Sequence, residues 1–377
     1  EICGFFGIGD WYRKRTSELS GGQKQLLNLA SIMVMQPKIL VLDEPTSQLD
    51  PIAATDFIAT LRKINEELGV TILLVEHRLE EVFPIAHKVV LMNRAKVMMV
   101  DTPRNVGKGL KQADPEHKML LGLPSGVRIY NRLQAEGECP LTVREGRDFL
   151  ERHYQNIYRG YDVRNEDYSE REKAIEITEG YFRYEKDSPD VLNGLSLTVY
   201  KNEILCILGG NGAGKTTTLK IMSGLQRLYR GNVRIWGKKI KEYSGNTLYR
   251  HNLASLPQNP QTLFVKHKLR DDLLEVAKLM GYGREEAAGK VGAVAAELAI
   301  EYLMDSHPFD LSGGEQQKAA FAKILLMEPK IILLDEPTKG IDAYSKKVLA
   351  DILYRLKAQG ITIVMVTHDI EFAAEHA

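Results

Sequence analysis

A glycine-rich stretch, GGNGAGKTT, occupies Gly209–Thr217 and limits most strongly how this chain can fold. It matches G-x-x-x-x-G-K-[ST], a loop whose backbone N–H groups surround a polyphosphate. Glycine suits such a loop because it adopts positive φ without strain and lets the backbone approach an anion closely. Glu203–Leu208 predicts a short buried strand before the loop, and Thr217–Leu225 predicts a helix after it. A glycine-rich turn with a chance lysine is the alternative.

The loop carries side chains that suit a nucleotide and its metal. Lys215 would neutralise the β- and γ-phosphate oxygens, and the Thr216 hydroxyl would ligate Mg²⁺ at the start of a helix. Tyr184 precedes the loop and is suited to stacking on adenine; Tyr181 or Phe182 are alternatives, as is plain strand packing. The nucleotide contacts predicted in the loop itself are Gly209, Asn211, Gly212, Ala213, Gly214, Lys215, Thr216 and Thr217.

The composition is that of an ordinary globular protein. The 377 residues, 44% hydrophobic and 27% charged with zero net charge, suffice for two domains, or for one and a half. The zero net charge gives no reason to expect nucleic acid as a partner. Three widely separated cysteines indicate neither a disulfide framework nor a metal cluster. No apolar run approaches the ~18 residues of a spanning helix, so a membrane role would act through a partner.

An internal repeat sets the domain organisation. Leu19–Asp50 reads LSGGQKQLLNLASIMVMQPKILVLDEPTSQLD, and Leu311–Asp342 reads LSGGEQQKAAFAKILLMEPKIILLDEPTKGID. The second copy follows the first at a constant offset of 292 residues through LSGG and DEPT. Each copy continues through a helix into an apolar strand that ends in histidine, at His77 and His368. We therefore expect two copies of one domain.

The two copies differ in extent. The second has its phosphate loop about 100 residues before LSGG, whereas a matching loop for the first would precede Glu1. We therefore expect a fragment of a longer tandem protein. The predicted division is residues 1–113 for the later part of the first domain, 114–173 for a linker or helical element, and 174–377 for the second domain.

Strands alternate with helices in both copies, which predicts an α/β class with a mainly parallel sheet. Ile39–Leu42 and Val70–Val75 are continuous apolar runs, typical of parallel strands buried on both faces. Ala174–Val199 predicts antiparallel strands, and Lys266–Leu303 predicts a helical insertion. The segment 114–173 contains three prolines and a charged stretch in which Tyr154, Tyr158 and Tyr161 share a helical face. It is interpreted as a plain linker or as a small helical element that docks on a partner.

Acidic and histidine residues follow the predicted strands in both copies. Asp335 and Glu336 follow IILL, just as Asp43 and Glu44 follow ILVL. At the end of a strand beside a phosphate loop, the aspartate can hold Mg²⁺ and the next residue can align a water with the γ-phosphorus. His77 and His368 could donate a hydrogen bond to the γ-phosphate. Gln258, at a predicted strand end, could sense Mg²⁺ or the attacking water.

Each LSGG sequence is predicted to open a helix. Short side chains and N–H groups at a helix N-terminus suit a second anion contact, although a single LSGG could be an ordinary N-cap. Two copies, each followed by DEPT, favour the functional interpretation. The residues concerned are Ser20, Gly21, Gly22 and Gln23 in the first copy and Ser312, Gly313 and Gly314 in the second.

With these motifs the chain resembles the ATP-binding cassette ATPases over nearly its whole length outside the linker. Within that family it looks most like the fused double-cassette subunit of energy-coupling factor importers, which take up vitamins or cobalt and nickel ions. Leu29–Pro51, Val75–Val82 (VEHRLEEV) and Leu256–Phe264 (LPQNPQTLF) carry the finer resemblance. Ser47–Asp50 fits the D-loop pattern of the family, whereas Lys339–Asp342 departs from it.

The resemblance implies tandem P-loop domains, each with a parallel core, an antiparallel β subdomain and a helical subdomain. It implies ATP and Mg²⁺ as cofactors and a head-to-tail pairing of the two cassettes. One site would set Lys215, Thr216, Gln258, Asp335, Glu336 and His368 against Ser20–Gly22. The other would combine Asp43, Glu44 and His77 with Ser312–Gly314 and a phosphate loop outside this chain.

The resemblance also implies a peripheral location at the cytoplasmic face of the cell membrane, with an integral-membrane subunit docking near Gln258–Leu274. The alternative is a soluble tandem cassette that acts as a clamp on ribosomes or DNA; such proteins often carry basic arms or cysteine clusters, which this sequence lacks. A third reading is that these 377 residues bind ATP without hydrolysing it.

Overall fold

The structure is a computed structural model that describes residues 2–93, 95–154, 167 and 170–376. The chain forms two compact units: the first comprises residues 1–163 and 342–344, and the second comprises residues 164–341 and 345–377. Tyr158 and Tyr161, predicted to share a helical face, lie outside the described residues.

The first unit combines a parallel strand pair, an antiparallel hairpin and seven α-helices among its described residues. Its strands are β1 (Ile39–Asp43), β2 (Thr71–Val75), β3 (Val89–Asn93) and β4 (Lys96–Asp101). Its helices are α1 (Ile2–Phe5), α2 (Gly21–Met33), α3 (Pro51–Leu68), α4 (Leu79–Val82), α5 (Pro103–Ala113), α6 (Ser125–Arg132) and α7 (Val143–His153).

The parallel pair β1–β2 is apolar on both faces but buried on only one. Leu40 is 3% exposed and packs with residues of α2 and α3, whereas Val41 is 65% exposed and Leu73 56%. The prediction that these two strands are buried on both faces is therefore wrong for the described residues. Continuous apolar composition indicates that a strand can be covered twice, but the covering elements must also be present.

Residues 114–153 of the segment predicted as a linker or helical element fold, together with α5, onto the hairpin β3–β4 and do not form a plain linker. Helices α5, α6 and α7 bury Val106, Val127 and Phe149 in one core with Leu91 of β3. Tyr154, at the end of α7, packs against Phe149 with 6.5 Å between ring centroids. Of the two interpretations of segment 114–173, the helical element is therefore the one that applies to residues 114–153.

A bidentate ion pair joins α5 to α7. Arg104 lies 2.9 Å from Glu145 through Nη2 and Oε1 and 3.0 Å through Nη1 and Oε2, and Glu145 Oε2 also accepts from the Leu141 backbone N–H at 2.8 Å. The hydrogen bond from Arg104 lowers the pKa of Glu145 below its ordinary value of 4.5, although desolvation opposes it. The folded state therefore favours the ionised carboxylate.

We expect Glu145→Gln to destabilise the first unit by about 1 kcal/mol, a charge-assisted hydrogen-bond value reduced because both side chains are about one-third exposed. Because the folded pKa is lowered, the stabilisation is complete above pH 4.5 and is lost as pH falls through the folded pKa. Urea unfolding at pH 7 and pH 4 measures it, with Glu151→Gln, in the exposed pair with Arg147, as control. An equal loss at both pH values would contradict the assignment.

The second unit holds the remaining elements. Its strands are β5 (Lys173–Phe182), β6 (Leu192–Tyr200), β7 (Ile204–Leu208), β8 (Arg230–Ile235), β9 (Lys238–Lys239), β10 (Leu253–Leu256), β11 (Ile331–Asp335) and β12 (Thr362–Thr367). Its helices are α8 (Lys215–Met222), α9 (Leu269–Leu279), α10 (Arg284–Glu297), α11 (Gly313–Leu325), α12 (Ala343–Ala358) and α13 (Ile370–His376).

Two four-stranded sheets organise the second unit. The first is parallel in the order β10-β11-β12-β7, and the second is antiparallel in the order β6-β5-β8-β9. With the helical segment α9–α10, they confirm the predicted α/β class with a parallel core, an antiparallel β part and a helical part. Because all four parallel strands end at one edge, the residues after β7, β10, β11 and β12 lie near one another.

The parallel strands of this unit are covered on both faces. Residues 331–335 of β11 and 362–367 of β12 are buried throughout. Ile332 and Ile363 face the core formed with α9–α12, while Leu333 and Val364 face the core formed with β5, β6 and α8. Among the described residues of the first unit no elements match β5, β6 and α8, which explains the exposed face of β1–β2.

Candidate functional site

The phosphate loop lies between β7 and α8. Gly214 is the N-cap of α8 with φ of 88°, and Gly212 also has positive φ, 84°. A Cβ on Gly214 would lie 3.1 Å from the Val191 carbonyl oxygen, so this position combines a left-handed backbone with a close approach that excludes side chains. The helix begins at Lys215, because the loop leads directly into its first turn.

The side chain of Lys215 packs against the phosphate loop and does not extend into solvent. It is 9% exposed, and its ammonium donates to the carbonyl oxygens of Gly209 and Gly210 at 2.8 and 3.1 Å. It also lies 3.6 Å from Glu336 Oε1. A buried ammonium that is held by carbonyl dipoles and one carboxylate is a strong local attractor for anionic oxygens.

The two acidic residues after β11 have different partners. Asp335 Oδ1 accepts from the Thr216 hydroxyl at 3.0 Å, and Glu336 Oε2 accepts from His368 Nδ1 at 2.7 Å. The His368 backbone N–H also donates to Glu336 Oε2, at 3.2 Å. The structure thus brings together five predicted site residues from three elements and their ends: Lys215, Thr216, Asp335, Glu336 and His368.

The environments of these carboxyl groups push their pKa values in opposite directions. Burial raises the pKa of Asp335, with the neighbouring charge of Glu336 adding to it and the Thr216 hydrogen bond opposing it. Burial also acts to raise the pKa of Glu336, but the hydrogen bond and charge of His368 outweigh it, so that pKa is lowered. Glu336 is therefore held ionised and Asp335 takes up a proton more readily.

Glu336 is held in an unusual backbone conformation that the first copy shares. Its φ is 49°, its N–H donates to the Val366 carbonyl at 2.9 Å, and its own carbonyl accepts from the Lys339 N–H at 3.1 Å. Glu44 has φ of 44° and makes the two matching bonds, to Val75 and from Ser47, at the same distances. The turn that follows the acidic strand end therefore has the same backbone geometry in both copies.

In the first unit, Glu44 and His77 also form a pair, at 2.8 Å between Oε1 and Nε2. Here the other ring nitrogen is used, and both side chains are more than one-third exposed. Glu76 accepts from the Thr46 N–H and hydroxyl, at 3.0 and 2.6 Å, and ties the DEPT turn to the histidine. Asp43 is the exposed last residue of β1.

Gln258 and Tyr184 lie at the borders of the second-unit site. Gln258 is exposed two residues after β10, the strand paired with β11. Tyr184 is 55% exposed; its hydroxyl lies 3.0 Å from Thr217 Oγ1, and its ring meets Phe182 edge-on. The exposed ring beside the loop favours Tyr184 over the more buried Phe182 as an adenine contact.

The serines of the two LSGG sequences, which we call the first and second signatures, act as helix N-caps. Ser20 Oγ accepts from the Gln23 N–H at 3.3 Å, and Gln23 Oε1 accepts from the Ser20 N–H at 2.9 Å. Ser312 forms the same capping box with Glu315, whose pKa is lowered by the Ser312 hydroxyl. A Cβ on Gly314 would lie 2.7 Å from Ser345 Oγ, and one on Gly22 would lie 2.8 Å from Ala53 Cβ, so both helix starts are tightly packed.

The structure also reveals partners that the sequence reasoning missed. Lys346 on α12 pairs with Asp369 at 2.5 Å, and Asp369 caps α13 through the Phe372 N–H at 3.1 Å. Burial opposes the shift, but the charge of Lys346 lowers the pKa of Asp369. The pair fixes the residue that follows His368. The one sequence signal for Asp369 is that a charged residue directly follows the predicted site histidine.

Strand, phosphate loop, helix and acidic strand end together define a P-loop nucleoside triphosphatase. The ABC transporter family model matches residues 2–47 and 192–339, about half of the sequence. The chain belongs to the ABC transporter family.

Similarity to known proteins extends over the whole chain. A Bacillus cereus protein named as an ABC transporter ATP-binding protein is 38% identical over 100% of this chain and 66% of its own length. YkoD of Bacillus subtilis, named as an HMP/thiamine import ATP-binding protein, is 29% identical over 97% of this chain and 63% of its own length. The chain thus spans about two thirds of the length of these relatives.

A solved structure, CbiO1 of Clostridium perfringens, described as part of the ABC transporter complex CbiONQ, resembles part of the chain. It superimposes with a TM-score of 0.51 and 27% sequence identity, covering 55% of this chain and 82% of that structure. Among the described residues, no helix is both long and apolar enough to cross a membrane.

Proposed function

We propose that this chain binds ATP at Gly209–Thr217 and hydrolyses it to drive a membrane importer. The observation that carries the proposal is the convergence of Lys215, Thr216, Asp335 and Glu336 at the end of one parallel sheet. In the proposed complex the loop N–H groups and Lys215 bind the β- and γ-phosphates. Tyr184 stacks on the adenine.

The donors present fit Mg²⁺. The Thr216 hydroxyl and the Asp335 carboxylate lie 3.0 Å apart, and hard oxygen ligands of this kind, completed by water and phosphate oxygens, are those that Mg²⁺ prefers. In the described part of the chain, no three His, Cys, Asp or Glu side chains converge as a closed metal cluster, and a Mg²⁺–nucleotide site does not need one. Bound Mg²⁺ would neutralise charge on the phosphates, and Gln258 would contact it from the end of β10.

Glu336 is proposed as the residue that orients and activates the attacking water. His368 Nδ1–H donates to the ionised Glu336 carboxylate and fixes its direction. An ionised, buried carboxylate beside the γ-phosphate can accept a proton from water as it attacks phosphorus. His368 would in addition donate to the γ-phosphate, and the left-handed backbone of Glu336 keeps the carboxylate at the sheet end.

The signature of the first copy is proposed to complete this site. Ser20, Gly21, Gly22 and Gln23 would contact the γ-phosphate of the nucleotide held at Lys215, at the N-terminus of α2. Asp43, Glu44 and His77 would serve a second nucleotide together with Ser312–Gly314 and a second phosphate loop. ATP would close the cassettes and hydrolysis would release them.

The importer is proposed to be of the energy-coupling factor type, for a vitamin or a metal ion. The resemblance to CbiO1 and to YkoD supports this class, because one is described as part of a transporter complex and the other as an import protein. An integral-membrane subunit would dock near Gln258–Leu274, and the chain would then lie at the cytoplasmic face of the membrane.

Loss of the Lys215 ammonium tests nucleotide binding. We expect Lys215→Ala to weaken ATP binding by about 10- to 100-fold, because charge-assisted hydrogen bonds to phosphate are lost. Lys201→Ala, in an exposed pair with Glu172 of the same unit, should leave it unchanged. Isothermal titration with a non-hydrolysable ATP analogue and Mg²⁺ measures both. Equal affinity in both variants would remove the phosphate loop from its assigned role.

Co-purification separates an importer from a clamp on ribosomes. The tagged protein expressed in its native host is isolated once from detergent-solubilised membranes and once from ribosome pellets. We expect a stoichiometric integral-membrane subunit in the first preparation. Recovery with ribosomes and without that subunit would overturn the import assignment while leaving ATP binding intact.

A further inference from the structure

A fully buried carboxylate lies outside the nucleotide site, in the helical part of the second unit. Asp272 on α9 is 0% exposed, and its Oδ1 lies 2.7 Å from Nζ of Lys323 on α11, which is 11% exposed. Removing two charges from water costs more than a typical ion pair returns. Net stability alone is therefore a weak explanation for a pair buried this deeply.

The pair holds the segment between β10 and α9. The second oxygen of Asp272 accepts from the backbone N–H groups of Val265 and Lys266, at 3.1 and 3.2 Å. The Lys323 ammonium also donates to the Leu263 carbonyl oxygen. Phe264 is 5% exposed, and Lys323 Nζ lies 5.6 Å from the centroid of its ring. Four consecutive residues are thus fixed to two helices by one ion pair.

This segment starts at Gln258, and the helix it is fixed to starts at the second signature. Lys323 lies on α11, which Ser312 caps. A second bond joins the same two elements, from Gln261 Nε2 to Gln316 Oε1 at 3.3 Å. The anchor points Gln316 and Lys323 lie about two turns apart on α11. Contacts at two levels prevent the segment from sliding or rotating against the helix.

We propose that Lys323 and Asp272 are positioning residues that make segment 258–266 and helix α11 move as one body. The proposal rests on the proposed function and couples its two nucleotide sites: a displacement of Gln258 by the nucleotide at Lys215 would be delivered to Ser312–Gly314, which are assigned to the second nucleotide. The position that matches Lys323 in the first copy is Ser31, so an ion pair of this kind is specific to the second copy. Without the pair, the segment and the helix would respond to nucleotide separately.

The test compares amide hydrogen exchange with and without a non-hydrolysable ATP analogue and Mg²⁺. The variant is the double substitution Asp272→Asn with Lys323→Gln, which removes both charges and retains hydrogen-bonding groups. In the wild-type chain we expect residues 258–266 and 312–317 to change protection together on binding. In the variant, basal exchange at Val265 and Lys266 should rise about tenfold or more, and the response at 312–317 should fall while that at 258–266 remains.

Two single-substitution variants serve as controls. Lys290→Gln removes an ammonium from the exposed pair with Glu328 in the same helical part and should leave both responses unchanged. The single substitution Lys323→Arg keeps the positive charge beside Asp272. In this variant, residues 258–266 and 312–317 should still change protection together. Joint responses in the double variant, or a lowered melting temperature as its only change, would overturn the proposal. If the wild-type chain shows no response to the analogue although it binds Mg²⁺–ATP, the positioning role fails; if the wild type does not bind it, the proposed function fails.

Discussion

Replacing Glu336 with glutamine is expected to lower the rate of ATP hydrolysis by about 100-fold or more while ATP remains bound. The amide keeps the size of the side chain but cannot accept a proton from water. It would also lose the charge that makes the hydrogen bond with His368 Nδ1, 2.7 Å away, a strong one. Single-turnover hydrolysis and analogue binding, measured on the same preparation with Mg²⁺, give the rate and the affinity separately.

Glu328 offers a matched control for this substitution. Glu328 lies before β11, whereas Glu336 lies after it, and the two residues have nearly the same φ, 48° and 49°. Glu328 pairs with His251 and Lys290, which are not site residues. Glu328→Gln therefore tests the same chemical change in a similar backbone, and its hydrolysis rate should match wild type. A Glu336→Gln variant that hydrolyses ATP at the rate of Glu328→Gln would show that Glu336 does not activate the water.

Much of this site was predictable because its residues are close in sequence to strong local signals. A phosphate loop needs glycines where φ is positive, and an acidic residue after an apolar run marks the end of a parallel strand. These signals alone predict Lys215, Thr216, Asp335 and Glu336 at strand ends along the same edge of one parallel sheet. The repeat then extends the same reasoning to Glu44, whose two backbone hydrogen bonds match those of Glu336.

What the sequence does not predict depends on contacts between distant residues. The exposed face of β1–β2 is as apolar as the buried face of β11–β12, so composition cannot distinguish them; only the covering elements do. The Asp272–Lys323 pair joins residues 51 apart in the chain, and neither residue has a motif. The helices of residues 103–153 bury few large side chains each, and their shared core with β3 carries no sequence signature.

The proposal that Ser20–Gln23 contact the nucleotide held at Lys215 predicts a second large effect on hydrolysis. We expect Ser20→Arg to lower hydrolysis by about 100-fold, because a long cation would occupy the position assigned to the γ-phosphate contact. Binding of the analogue should change little, since most of the contacts to the nucleotide are assigned to the phosphate loop. Single-turnover hydrolysis with Mg²⁺–ATP measures the effect.

Ser312→Arg is the control, because both serines cap their helices through the same reciprocal box. Each substitution therefore costs about 1 kcal/mol of helix capping, so stability does not distinguish them. If the cassettes pair head to tail, Ser312 does not face the nucleotide at Lys215, and its substitution should leave hydrolysis at that nucleotide within about twofold of wild type. Equal losses would point to a capping effect, and a larger loss from Ser312→Arg would show that each cassette uses its own signature.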